Sequence, residues 1–230
     1  MDFLKLIRSF EDLLFEVLTW LFYYPRTLWM VLSRPLQMVD YSNHEQGDGE
    51  LEQYTDTLSP PLLLLLTIML LHGIELQFGG AHIQAASEVA QEIVSSDQNL
   101  VLLRSFLFGL LPLFSAIFYV RHRKLGLERK YLRAPFFSGC YLAAVYALAV
   151  SLSSILSKPE LASTPALAGV GAVAGTIWWL TIQSLQFKAA LGMSAARAFV
   201  GALGVLVKAL AYLVLVGLLI TGVPDSLLSG

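Results

Sequence analysis

His72 and Glu75 stand three residues apart, so any helix that carries them presents both on one face, and His82 follows nearby. An imidazole and a carboxylate so placed can relay a proton or contribute to a metal site. A structural zinc site takes four protein ligands and a catalytic one three. The pair supplies two, and it reads first as a polar pair at a helix end, with Arg104 as a candidate counter-charge for Glu75. Lys208, Gln183 and Thr176 form a second constellation, set in otherwise apolar stretches. Inside a bundle, Gln183, the hydroxyls of Thr176 and Thr181, and backbone carbonyls can satisfy an ammonium group. The same three positions are what a polar path across a membrane would use. The alternative for Lys208 is to run its stem through hydrocarbon towards the headgroups.

Other patterns carry less chemistry. Gly169-Val-Gly171-Ala-Val-Ala174 spells G-x-G-x-x-A, yet no strand precedes it and no acidic residue follows at the dinucleotide-binding spacing. Gly171 and Gly175 instead make a G-x-x-x-G face, which lets two helix backbones approach closely in lipid, within the chain or between two copies. Cys140 is the only cysteine and has no visible base. The sequence contains no G-x-S-x-G, H-E-x-x-H or G-x-x-x-x-G-K-[ST] pattern. No cofactor, no metal and no catalytic residue are expected; the chain reads as a non-enzyme.

The elements that hold these residues follow from composition. Of 230 residues, 56% are hydrophobic and 14% charged, and the mean hydropathy is +0.66. A soluble domain carries about 25% charged residues. Disorder, a disulfide-rich module and a free nucleic-acid binder (the net charge is −2) are all excluded. A span needs about 20 mostly apolar residues, and five stretches qualify: 58–78, 100–120, 134–156, 165–187 and 198–222. The expected fold is all-α, a polytopic membrane bundle of five transmembrane helices over 58–230, preceded by an amphipathic amino-terminal region over 1–57.

Basic residues set the orientation. The 121–133 loop holds Arg121, Arg123, Lys124, Arg129, Lys130 and Arg133, whereas the 79–99 loop has none and carries Glu88, Glu92 and Asp97. The first is expected inside, against anionic lipid; the amino terminus is then cytoplasmic and the carboxyl terminus periplasmic. Residues 1–57 do not read as a cleavable signal, because Glu11, Asp12 and Glu16 interrupt the apolar core. Asp2, Lys5, Ser9, Asp12, Glu16 and Thr19 form one polar stripe of a helix expected to lie in the headgroup region. Pro25 is expected to break that helix, with a second piece over 26–39 and a kink or end at Pro35. The acidic stretch 40–56 reads as a solvated linker, and Trp178 and Trp179 as interface-belt residues.

Just ahead of the first span stands Asp56-Thr57-Leu58-Ser59-Pro60-Pro61-Leu62. It resembles the D-L-x-G-P-L stretch of the Yip-domain family, with one residue extra and proline in place of glycine. Tyr24-Pro25-Arg26-Thr27-Leu28-Trp29 resembles the aromatic lead-in of a bacterial branch. The resemblance covers nearly the whole chain and implies five spans, a bacterial inner-membrane location and a scaffolding or membrane-organising role. Eukaryotic members bind small GTPases in vesicle traffic. It supplies no catalytic residues. The function expected is a scaffold or modulator whose partners are membrane lipids, and a protein or a second copy met through small-residue helix faces. The alternative is a small permease subunit with a polar path near Lys208 and Gln183; Pro112, which interrupts the second span, favours it.

Overall fold

The computed structural model describes residues 3–47, 49, 52–78, 87–158 and 165–221, and all regular structure among them is helical. In chain order the helices are α1 (Phe3–Ser33), α2 (Pro35–Glu45), α3 (Pro60–Gln77), α4 (Glu88–Ser95), α5 (Asp97–His122), α6 (Arg129–Leu156), α7 (Pro165–Leu191) and α8 (Ala195–Thr221). Four of them, α3, α5, α6 and α8, are long and apolar enough to cross a bilayer. α7 has 27 residues, but its described part is diluted by Thr176, Thr181, Gln183, Ser184, Gln186 and Lys188.

Helix α6 is the hub. It touches α1, α2, α3, α5 and α7, and residues 138–147 are buried without interruption. A helix apolar all round belongs in the middle of a bundle, and Gly139, Cys140, Ala143, Ala144 and Ala147 leave room for neighbours on every side. A Cβ built on Gly139 would sit 2.9 Å from the Pro112 Cβ, so α5 lies close against α6 at its own proline. The Phe108–Tyr146 ring contact and the Gly171–Ser153 approach run these helices antiparallel. Contacts of Leu58 with Tyr141 and of Glu75 with Lys158 make α3 parallel to α6. One end of the bundle therefore carries residues 121–133, which the structure divides between the last turn of α5, a short connection over 123–128 and the first turn of α6 (the basic end), and the other carries Glu75.

The prolines behave differently from expectation. Pro25 lies inside α1 and does not break it; the break falls at Arg34, whose φ of −138° and ψ of 56° leave the helical region just before Pro35. Proline costs α1 one backbone bond, and packing around it compensates. Thr27 and Val31 are buried, and the Tyr24 hydroxyl donates to Thr67 Oγ1 on α3 at 3.1 Å. Residues 7–18, by contrast, are all exposed, Phe10 by 63% and Phe15 by 68%.

The 40–56 stretch is not a free linker. Asp40, Glu52 and Asp56 are exposed, but Tyr54 is buried in a left-handed conformation (φ 56°). Its hydroxyl meets Ser42 Oγ and Gln46 Nε2, each at 3.0 Å, its backbone N–H donates to the Glu45 carboxylate, and its ring stacks on Phe137. Asp48 and Glu50 lie outside the described residues, as does 79–86 with His82. Within the 79–99 loop, Ser87 caps α4 by accepting from the Ala90 N–H at 3.2 Å.

Candidate functional site

Glu75 is buried two residues from the end of α3, where its carboxylate lies between two cations. Arg104 Nη1 approaches Oε2 at 2.5 Å and Lys158 Nζ approaches Oε1 at 3.8 Å. Lys158 also donates to the carbonyls of Phe78, at 3.1 Å, and Glu75, at 3.5 Å, so it caps the negative end of α3. His72 sits one turn back. Arginine can only donate, so in this contact Nδ1 of His72 is the acceptor for Arg104, at 3.4 Å, and the other ring nitrogen is Nε2. That nitrogen makes no hydrogen bond among the described residues; it faces the exposed Asp97 carboxylate at 3.6 Å, an electrostatic contact across the first turn of α5.

This geometry favours a closed charge cluster. Both carboxylate oxygens of Glu75 already face cations, Oε2 towards Arg104 and Oε1 towards Lys158. No three His, Cys, Asp or Glu side chains gather as a metal site among the described residues. The Glu75–Arg104 pairing follows from the sequence, since both fall near the same end of consecutive apolar stretches. Lys158 does not: it arrives from 83 residues away, and only the parallel packing of α3 beside α6 brings it there.

The second constellation is not assembled. Gln183 is buried between α5 and α7, accepts from Ser115 Oγ at 3.3 Å and donates to Gln186 Oε1 at 3.0 Å. Thr176 and Thr181 return their hydroxyls to their own helix, at Ala172 O and Ile177 O. Lys208 is exposed on the flank of α8, beside Phe114, Phe118, Arg121 and His122 of α5, and meets none of the three. The direction of the side chain explains why. Every Cβ of a helix leans towards its amino-terminal end, and for α8 that is the basic end.

The Gly171–Gly175 face is occupied within the chain: a Cβ on Gly171 would meet Ser153 Oγ, and one on Gly175 would overlap the Ala149 methyl, both on α6. Trp179 is likewise a core residue, packed on Tyr146, rather than part of an interface belt.

At the basic end Arg121, Arg123, Lys124, Arg129, Lys130 and Arg133 are all exposed, interleaved with exposed Leu125 and Leu127. Arg123 donates to Ala190 O, Lys130 pairs with Glu128 at 2.9 Å, and Arg133 lies over the Phe137 ring. A set of buried hydroxyls, which the sequence does not announce, ties the amino-terminal helices to this end. Thr27 Oγ1 accepts from the Leu58 N–H at 3.1 Å, and Tyr141 donates to Leu58 O at 2.8 Å. Thr57 Oγ1 lies 3.3 Å from the Tyr141 hydroxyl and donates to Tyr41 at 3.4 Å. Burial pushes the Tyr41 hydroxyl up to about 12 and raises that of Tyr54, in each case against the opposing effect of hydrogen bonding by Thr57 and by Ser42 and Gln46.

The chain matches no protein-family model, no curated protein and no solved structure in the comparisons made.

Proposed function

We propose that the protein is a non-enzymatic integral membrane scaffold or modulator that organises lipids or partner proteins, with α7 as a fifth span beside the four longer-apolar helices. In this reading it resembles the Yip-domain proteins and lies in a bacterial inner membrane, with the amino terminus inside and the carboxyl terminus outside. The observation that carries it is the division of the molecule. Glu75 and Gln183, polar side chains buried within the bundle, are held by near neighbours, while the apolar surfaces of α1 and the basic loop, both at the basic end, are left uncovered. A helix such as α1, with Phe10, Leu13, Leu14, Val17 and Leu21 exposed, buries them by lying in the headgroup region.

Two measurements test this. A periplasm-active reporter fused after Gly230 should be active, and a cytoplasm-only reporter active at that place would overturn the topology. Phe10→Asp should free α1 from the interface and open cysteine labels along it to water. Unchanged labelling would place the helix elsewhere.

The permease reading keeps one supporting observation, the buried Ser115–Gln183–Gln186 chain beside Pro112. Transport that is lost on Gln183→Leu in a folded protein would favour it over the scaffold.

A further inference from the structure

Lys208 is hard to explain as a bundle residue, and its neighbours give it a different role. Two adjoining cavities, about 440 and 250 Å³, form one groove on the flank between α5 and α8, and they share Phe118, His122 and Lys208. Arg121 stands at the α5 end of the groove and Arg197 in the first turn of α8. Lys208 lies deeper, between the level where Gly201 faces Phe118 and the level where Tyr212 meets Phe114. That is one to two turns of α5 from His122, or about 6–12 Å by helix rise. The floor is apolar: Val200 and Phe118 line it, and at Gly204 even a Cβ would find open space.

Three basic side chains thus edge a groove with no acidic residue in its lining. None of the three makes a side-chain hydrogen bond or ion pair among the described residues. A charged side chain at lipid depth costs about 2.5–3.5 kcal/mol even on insertion scales, and the described residues that line the groove supply no counter-charge. An occupant must therefore be anionic at the basic end and apolar below it. Phe199, Leu203 and Val207, next in sequence to the α8 residues of the groove, are exposed as well, so apolar surface continues along α8 beyond the groove. We propose that it binds an anionic phospholipid, the phosphate held by Arg121, Arg197 and Lys208 and an acyl chain laid over Gly201 and Gly204. This rests on the reading of α5 and α8 as spans with their basic end at a headgroup layer.

The test is lipid retention by the full chain, purified from vesicles of equal phosphatidylglycerol and phosphatidylcholine and weighed by native mass spectrometry. The wild type should keep phosphatidylglycerol in preference to phosphatidylcholine. Arg197→Gln and Lys208→Gln should each lower that preference about fivefold, the equivalent of about 1 kcal/mol per cation. Lys208→Arg should preserve it, and Lys124→Gln, on the loop, should change it less than twofold. Equal retention of the two lipids, or retention unaffected by Lys208→Gln in a chain with the wild-type melting temperature, overturns the proposal. So does displacement of the lipid by millimolar inorganic phosphate, which would assign the site to a free anion. A change in oligomer mass in place of lipid loss would overturn it in favour of a second copy. Alkaline extraction of the chain from membranes separates the two failures: a chain released by it refutes the spanning reading, and one that stays embedded without lipid preference refutes the groove alone.

Discussion

Glu75 and Lys208 are both ionisable side chains in apolar helices, and the protein treats them in opposite ways. Around Glu75 the chain gathers His72 from the same helix, Arg104 from α5 and Lys158 from the segment after α6, so the carboxylate meets its counter-charges within the fold. Around Lys208 it gathers more positive charge and leaves it facing outwards. The glycines follow the same division. Gly171 and Gly175 are closed against α6, whereas Gly204, on the groove, meets nothing. Charge that is cancelled internally belongs to the architecture. Charge left without a counter-charge, at an open surface, is addressed to something outside the chain.

The largest effect should come from removing the internal anion. Glu75→Leu leaves Arg104 and Lys158 without their carboxylate and should cost about 3–5 kcal/mol, read as a lowered melting temperature in detergent. Adding Arg104→Leu should recover much of the loss. Lys208→Leu, in the same assay, should stay within about 0.5 kcal/mol of wild type or gain, as surface substitutions do. Equal losses at the two positions would erase the comparison.

Next in size are the glycines. Gly175→Ala forces a methyl against Ala149 and should cost about 1–3 kcal/mol. Gly109→Ala, within α5 and with nothing nearby, should instead stabilise by about 0.5–1 kcal/mol through helix propensity. Opposite signs in thermal unfolding would sharpen the distinction between closed and open faces; matching signs would blur it.

The smallest effect concerns pH. Tyr41 ionises near 10 when unfolded and near 12 when folded. The folded form therefore holds its proton more tightly, so its contribution to stability is intact below pH 10 and is lost as pH climbs towards 12. Tyrosinate absorbance and melting temperature, followed together, should show the α2 region loosening in that window while the α3–α5 pairing outlasts it. Thr57→Val, which removes a bond to the Tyr41 hydroxyl, should leave the salt dependence of the melting temperature as in the wild type, since no charge is involved, whereas Glu75→Leu should change it.

Four apolar stretches of the sequence appear as helices long enough to span, because hydropathy over about 20 residues is a strong local signal. The Glu75–Arg104 contact was legible for a related reason: consecutive antiparallel stretches fix which ends meet. Other features depend on tertiary partners that no local pattern contains. Pro25 is carried through α1 by Thr27 and Val31 packing on the bundle, whereas Arg34, exposed before Pro35, yields. Acidic composition at 40–56 hid Tyr54, the residue that anchors the segment. Depth along α8 suggested that Lys208 turns inwards, but facing depends on rotation about the helix axis, and the apolar residues of α8 surround it too evenly to set that rotation. Trp179 was misplaced for the same reason on α7.

Glu75 and Arg104 lie on consecutive long helices, with α4 between them, and both are synthesised before any residue of α6. During manufacture of the chain, α3 and α5 leave the ribosome without the hub on which the finished bundle is arranged. Each would enter the bilayer carrying a bare charge. In the spanning arrangement proposed above, pairing would let them enter as a neutral hairpin. Lys158 can join only after α6 has been made, so the order of genes' translation into helices matches the order in which this cluster can be completed: a two-member bridge first, and its third member when the centre of the fold arrives.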